Sequence, residues 1–172
     1  MDDKIVVTFC LCDDLLKAIH HQEDRQCQMN DAEIMTTAVI AALYFRGNHD
    51  SARAMLTEYG SMPHMIRKSR LSRRLHRIKV FFIILCDMFG NIGKELHQDA
   101  IYVIDSFPVA VCDNRGIRRS TIYSSEEFRG SQASKRRYFY GLKIHLMVTQ
   151  DGQPVACFVT PGGFGDVDAV KY

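Results

Sequence analysis

The chain has 172 residues, of which 47% are hydrophobic and 24% charged, as in a globular protein of one domain or two small ones. Its longest apolar run, Val80–Leu85, is far shorter than the roughly 20 residues of a membrane-spanning helix, and Met1–Lys4 lacks the basic start of a secretory signal. These features exclude membrane-spanning and secreted classes, and we expect a cytoplasmic protein whose six cysteines are reduced thiols.

The net charge of +2 hides an uneven distribution. Acidic side chains outnumber basic ones by ten to five in Met1–Gly60, whereas Ser61–Cys86 contains seven basic side chains and no acid. A second basic stretch, Arg115–Lys143, has eight Lys and Arg against Glu126 and Glu127. A solvated surface would explain one such cluster. Two clusters favour a polyanionic partner such as nucleic acid.

The first 97 residues predict helices. Asn30–Glu33 has the form of a capping box, with Asn30 as the N-cap and Glu33 reaching back to it. Gly47 ends the helix that follows, and a second, shorter helix is predicted over Ala52–Tyr59, where Gly60 stops it. The first helix is indicated by apolar residues at helical spacing, namely Ile34, Ala38, Ala41 and Phe45.

A third helix combines a buried stripe with a basic one. The apolar residues at helical spacing are Leu71, Leu75, Ile78, Phe82, Leu85 and Phe89. The neighbouring stripe, roughly 100° away, carries Arg70, Arg73, Arg74 and Arg77. The pattern predicts a helix laid against DNA phosphates, in a three-helix arrangement like that of helix-turn-helix domains. A solvated basic face is the alternative.

Strands are predicted after residue 97. Ala100–Asp105 is a short apolar run that ends on an acid, and Leu142–Thr149 alternates, with Lys143, His145 and Met147 on one of its faces. Asp151-Gly152 then predicts a two-residue hairpin turn, with positive φ at Gly152, leading into a strand over Pro154–Thr160. Pro161-Gly162-Gly163 closes that strand, and Asp166 is expected to cap a helix beginning there.

Two places could carry chemistry. Asp105, at the end of a predicted buried strand, suits a Mg²⁺ ligand for phosphoryl transfer, because an unpaired buried charge is costly. The alternative is an aspartate that turns the chain and accepts hydrogen bonds from nearby amides. Cys10, Cys12 and Cys27 with His20-His21 could also be assembled into a zinc site, but their spacing fits no common pattern.

The connection between Phe107 and Tyr138 is about thirty residues long, and structureless segments of that length are uncommon unless they are functional or disordered. It ends in basic and aromatic residues side by side, Lys135, Arg136, Arg137, Tyr138, Phe139 and Tyr140. Such residues can contact phosphates and stack on exposed bases. Alternatively, the two tyrosines are edge residues of a strand with a charged flank.

Longer runs resemble a known family. Ile101–Asn114, Ser134–Val155 and Thr160–Asp166 are similar to insertion-sequence transposases of the RNase H-like DDE superfamily, closest to the branch called the nine-eighty-two group. Asn30–Arg53 and Ser69–Ile78 resemble the same group. The resemblance implies an α+β fold, with a helical DNA-binding region over residues 1–97 and the first strands of an RNase H-like domain over 98–172. It also implies Mg²⁺-dependent DNA strand cleavage and joining.

Within this resemblance, Asp105 matches the first acid of the DDE triad. The second acid and the glutamate belong to later elements with no counterpart here, so we expect a truncated, catalytically incomplete chain. Asp166 and Asp168 match the turn into the next helix and are expected to be structural. The alternatives are a non-catalytic DNA-binding remnant that represses transposition and a fragment that does not fold stably.

The expected partners are double-stranded DNA at the element ends and either a second copy or the full-length transposase, with no membrane. The predicted DNA-binding residues are Arg67, Lys68, Arg70, Arg73, Arg74, Arg77, Lys135, Arg136, Arg137, Tyr138, Tyr140 and Lys143.

Overall fold

The computed structural model describes residues 2–24, 26–96, 101–132, 136–165 and 168. The chain divides into two compact units, Met1–Leu85 and Cys86–Tyr172. The division predicted from sequence, after residue 97, stays a prediction. Within the described ranges, no helix has the length and apolar character needed to cross a membrane.

The first unit is helical. Its helices are α1 (Asp2–Ala18), α2 (Asp31–Phe45), α3 (His49–Glu58), α4 (Lys68–Arg77) and the start of α5 (Lys79–Leu96). Helix α2 is the centre of this unit, because it packs on α1, α3 and α4. Its fully buried apolar side chains include Ile34, Met35 and Ile40. The unit is therefore built around one apolar helix.

Helix α2 begins and ends as its sequence predicts. The amide of Glu33 donates to Asn30 Oδ1 at 2.7 Å, and the amide of Asn30 donates to Glu33 Oε2 at 2.6 Å, which confirms the capping box. At the other end, Arg46 and Gly47 have φ of 51° and 84°, and the Gly47 amide donates to the Ala41 carbonyl. Local hydrogen bonds thus fix both ends of α2.

The single third helix predicted over Leu71–Phe89 is wrong. Helix α4 ends at Arg77 and α5 begins at Lys79, with Ile78 between them at φ −96° and ψ 11°. Ile78 itself is buried. Leu71 and Leu85 of the predicted stripe are also buried, whereas Phe89 is exposed, so the prediction of a buried stripe is wrong at its last position. An interruption of one residue changes the apolar spacing little, so the spacing did not reveal the break.

Arg74 joins α4 to the beginning of α2. Its guanidinium donates to the Met29 carbonyl and to the Asp31 carboxylate, and it lies 3.9 Å from Glu23 Oε1. Asp31 also contacts His21 Nε2 at 2.9 Å, and its amide donates to Glu23. Desolvation raises the pKa of Glu23. We call these side chains, His21, Glu23, Asp31 and Arg74, the Arg74 network.

The second unit contains an antiparallel sheet. Its strands are β1 (Tyr102–Asp113), β2 (Arg129–Gln132), β3 (Arg137–Thr149) and β4 (Pro154–Pro161), and two 3₁₀ helices, Asn114–Arg119 and Glu126–Phe128, precede β2. Strand β3 pairs with β1 on one side, and with β2 and then β4 on the other. The second half of α5 approaches β4 closely, since a Cβ added at Gly90 would lie 2.3 Å from the Val155 carbonyl oxygen.

The first strand was predicted to end at Asp105, and this is wrong. Strand β1 continues for eight further residues to Asp113, with Phe107 opposite Ile144 and Val109 opposite Leu142. Pro108 lies inside the strand. A proline is tolerated there because, among the described strands, β1 pairs with β3 alone, so it needs amide donors on one edge only.

The hairpin between β3 and β4 differs from the predicted two-residue turn. The Gly152 amide donates to the Thr149 carbonyl at 2.9 Å, so Gln150 and Asp151 are the central residues of the turn. Gly152 follows as a third loop residue with φ +80°, which confirms the predicted positive φ. A type I turn followed by a left-handed residue is the common three-residue hairpin loop. The predicted cap at Asp166 lies outside the described residues.

We predict that Gly152→Val destabilises the second unit by about 1–2 kcal/mol, because an L-residue is disfavoured at positive φ. No neighbouring atom lies within 4 Å of a Cβ added there, so the effect isolates backbone conformation. Thermal unfolding followed by circular dichroism measures it. Gly152→Asn is the matched control and should retain most of the stability, because asparagine tolerates this conformation. Equal melting temperatures for wild type and Gly152→Val would contradict the turn.

We predict that Arg74→Met lowers the free energy of unfolding by about 2 kcal/mol or more, because it leaves the poorly exposed Asp31 carboxylate without its cation. Arg73→Met is the control on the same helix. Arg73 is exposed, so its replacement should change stability by about 0.5 kcal/mol or less. Urea unfolding measures both variants, and equal losses of stability would show that the Arg74 network does not hold α4.

Candidate metal ligand and nucleic-acid interface

Asp105 is the fourth residue of β1 and lies opposite Leu146 of β3. The residue is exposed, and Oδ1 accepts a hydrogen bond from the Ser106 amide at 2.7 Å. The prediction of a buried carboxylate at a strand end is therefore wrong. Because the residue is exposed, its carboxylate does not bear the desolvation cost of a buried charge. A solvent-facing carboxylate is accessible to a hydrated cation.

One cluster of possible metal ligands occurs among the described residues, and it is not at Asp105. It consists of His21, Glu23 and Asp31 in the first unit, whose ligand atoms lie within 4.8 Å of one another. The guanidinium of Arg74 already binds the Asp31 carboxylate there. These carboxylates therefore have a cationic partner from the protein itself, and we assign the cluster to the Arg74 network.

The cysteines considered for zinc do not form such a cluster within the described ranges. Cys12 is buried inside the first unit, and burial raises the pKa of its thiol to about 11. Zinc binds the thiolate, which this environment disfavours. The structure gives no support to a zinc site at Cys10, Cys12 and Cys27.

Mg²⁺ can be held by one or two carboxylates together with water and phosphate oxygens. Asp105 fits the role of one such ligand, and the described residues provide no ligand cluster around it. Asp168 is exposed, and its amide donates to the Gly165 carbonyl at 3.2 Å. Asp166 lies outside the described residues.

The cations of α4 divide into two groups. Arg74 points into the Arg74 network, with 16% of its side chain exposed. Arg70, Arg73 and Arg77 are exposed, as is Arg67 at the N-cap. Lys68 is exposed as well, and its Nζ lies 2.5 Å from Asp50 Oδ2. Of the predicted DNA-binding residues on α4, Arg74 alone is held inside the unit in this way.

A groove of about 620 Å³ runs beside α4 in the first unit. We call it the α4 groove, and it is lined by His49, Lys68, Leu71, Ser72, Arg73, Leu75, His76 and Lys79. Three lysine or arginine side chains and no carboxylate contribute to this lining. The groove is a surface suited to an anion such as a phosphate.

The basic and aromatic run at the start of β3 also contains both exposed and buried side chains. Arg136 is exposed and Arg137 binds the Asp113 carboxylate. Tyr138 is half exposed, but Tyr140 is buried and its hydroxyl contacts Glu126 Oε1 at 3.2 Å. The predicted DNA-binding residue Lys135 lies outside the described residues. Tyr138 is thus the tyrosine of this run that can meet a ligand.

Two features of the second unit were not predicted from the sequence. Arg129 lies over the ring of Tyr138, with its Cζ 5.0 Å from the ring centroid, and both residues line a cleft that also contains Lys143. His145 is fully buried, with Nε2 2.8 Å from Thr160 Oγ1 and its ring stacked on Phe158. The alternation of Lys143, His145 and Met147 along the predicted strand placed His145 on one face and could have directed attention to it. No sequence pattern indicated the contact between Arg129 and Tyr138.

Residues 95–172 match the family model described as the transposase DDE domain. The match covers less than half of the chain and includes the four strands that the structure describes in the second unit. No curated protein matches the chain, and no solved structure matches it. The family match supports a DDE transposase, a class of DNA-cleaving enzymes, with DNA as the substrate that the class implies.

Proposed function

We propose that this chain is a transposase polypeptide of an insertion sequence, of the nine-eighty-two group, and that its first unit binds duplex DNA through α4. The observation that carries the proposal is the match of residues 95–172 to the transposase DDE domain. The exposed cations of α4 and the α4 groove support the DNA-binding part of it.

The electrostatics of α4 favour a phosphate partner. Arg70, Arg73 and Arg77 are three and four residues apart, so their like charges repel by a few tenths of a kcal/mol per pair. In the described part of the chain, none of these three side chains forms an ion pair. Phosphates placed along this surface would offset the repulsion, and bound counterions would be released from the DNA.

We predict that the double variant Arg70→Gln, Arg73→Gln weakens binding to a mixed-sequence duplex and flattens its salt dependence. The slope of log K against log salt should fall by about 0.9 for each phosphate that the variant no longer neutralises. Fluorescence anisotropy at several salt concentrations measures it. Lys4→Gln with Lys17→Gln, on α1, removes the same charge and should leave the slope nearly unchanged. Equal effects of the two double variants would show that DNA binding depends on the net charge of the protein and not on α4.

In this proposal, Asp105 is the residue that would hold Mg²⁺, since a carboxylate is a ligand that this ion prefers. When bound, the ion would supply positive charge beside the phosphate and lower the pKa of a bound water. The protein contributes an exposed carboxylate on a paired strand, whose backbone is fixed by β3. Phosphate oxygens and water would supply the remaining ligands.

We further propose that a polypeptide of residues 1–172 binds DNA without cleaving it. Phosphoryl transfer with two metal ions requires both the attacking and the leaving oxygen to be stabilised. A single carboxylate cannot hold two ions in those positions. Such a polypeptide would occupy element ends and compete with a cleaving transposase, which is the repressor role considered as an alternative.

We predict that Mn²⁺, used as a paramagnetic substitute for Mg²⁺, broadens the amide resonances of β1 around Asp105 when DNA is present. Asp105→Asn should abolish this broadening. Asp113→Asn, on the same strand, should not, because the Asp113 carboxylate is held by Arg137. Broadening that survives Asp105→Asn would show that Asp105 is not a ligand of the ion.

A nicking assay tests the proposed lack of cleavage. Nicking of DNA by the wild-type polypeptide that disappears in Asp105→Asn would overturn it.

A further inference from the structure

A polar cleft lies in the second unit. It is lined by Tyr138 and Lys143 of β3, whereas Asp105 lies opposite Leu146 of that strand. It has a volume of about 410 Å³ and is lined by Arg129, Gly130, Ser131, Tyr138, Lys143, Gly162, Gly163, Phe164 and Gly165. We propose that this cleft binds one unpaired nucleotide of a DNA strand. The proposal rests on the proposed function only in taking DNA as the ligand, and we call the site the Tyr138 cleft.

Tyr138 provides a surface on which a base can stack. The residue is 54% exposed although it lies in β3, the strand to which the other described strands pair. The guanidinium of Arg129 lies 5.0 Å from the ring centroid, in a cation–π arrangement, and it also contacts Glu126 at 3.4 Å. An exposed ring beside a cation is the combination that proteins use to bind single-stranded nucleic acid.

Lys143 brings a second cation to the same cleft. Its Nζ donates to the Phe164 carbonyl at 3.0 Å, so the ammonium is held at the edge of the loop. An ammonium carries three N–H donors and a positive charge, both of which suit the oxygen atoms of a phosphate. Arg129 and Lys143 therefore place positive charge on the cleft that also contains the ring of Tyr138.

The loop after β4 forms the cleft wall without side chains at two positions. The Gly162 amide donates to the Gly141 carbonyl at 2.9 Å, and the Gly163 amide donates to the Glu127 carbonyl at 2.8 Å. A Cβ at Gly162 would lie 2.5 Å from the Phe128 carbonyl oxygen, so a side chain does not fit there. This part of the wall is thus backbone that is held in place by hydrogen bonds to β3 and to the second 3₁₀ helix.

Size and chemistry together select the ligand. Small-molecule sites have volumes of roughly 300–1,000 Å³, and this cleft lies near the lower limit. A base within a duplex has both faces covered by its neighbours, whereas an unpaired base exposes them for stacking on Tyr138. The hydroxyl of Ser131 can donate to or accept from the edge of the base. We therefore assign the cleft to an unpaired nucleotide at a strand end, and duplex binding to α4.

The test compares two DNA probes. One is a blunt mixed-sequence duplex, and the other is the same duplex with a single-stranded overhang containing 2-aminopurine. We expect wild type to bind the overhang probe more tightly and to quench its fluorescence. Tyr138→Leu should abolish the quenching and weaken overhang binding about tenfold, with blunt-duplex binding unchanged. Tyr138→Phe keeps the ring and should behave like wild type.

A second variant tests the cleft without changing the aromatic ring. Lys143→Gln should lower the salt slope for single-stranded DNA by about 0.7, the value for one phosphate of a single strand. If Tyr138→Leu weakened both probes equally, or if neither variant affected the overhang probe, the Tyr138 cleft would not bind an unpaired nucleotide. If blunt duplex failed to bind wild type while the overhang signal still depended on Tyr138, the α4 proposal would fail and the cleft would stand.

Discussion

The hydrogen bonds of strand β3 are the constraint on which the second unit depends. The other three described strands pair with β3, and none of them pairs with another. Asp105 is held in place by the second half of β3, because it lies opposite Leu146 where β1 pairs with that strand. The first half of β3 carries Tyr138 and Lys143, which line a cleft together with a loop that is itself bonded to Gly141 of the same strand. One strand therefore fixes both proposed sites of this unit, although it contributes no carboxylate to either.

The arginines show how a basic sequence can serve two purposes. Arg74 and Arg137 each bind a carboxylate, and Arg74 does so where most of its side chain is removed from solvent. Arg70, Arg73 and Arg77 stay exposed on the helix that Arg74 anchors. A buried arginine without a carboxylate would be strongly unfavourable, so Asp31 stabilises the helix that carries the exposed cations. An acidic residue from the first half of the sequence thus holds in place the helix on which the exposed arginines lie.

Sequence patterns succeeded where the determining interaction is local. The capping box at Asn30 and the positive φ of Gly152 depend on residues within a few positions along the chain, so they could be predicted. The length of β1 depends on its pairing with β3, and the contact between Arg129 and Tyr138 depends on the pairing of β2 with β3, so neither could be predicted from a local pattern. For the same reason, spacing alone could not show that Arg74 is held inside the unit by Asp31 while Arg73 is exposed. The sequence identified Asp105 as a candidate ligand, but the exposure of its side chain depends on a sheet that no local pattern encodes.

The exposure of Asp105 also determines how metal and DNA would depend on each other. A single exposed carboxylate binds hydrated Mg²⁺ weakly, because it replaces few of the waters that the ion holds. In the proposed site, phosphate oxygens supply the missing ligands, so the ion is bound tightly only when DNA is present. Thermodynamic reciprocity then requires Mg²⁺ to strengthen DNA binding by the same factor by which DNA strengthens Mg²⁺ binding.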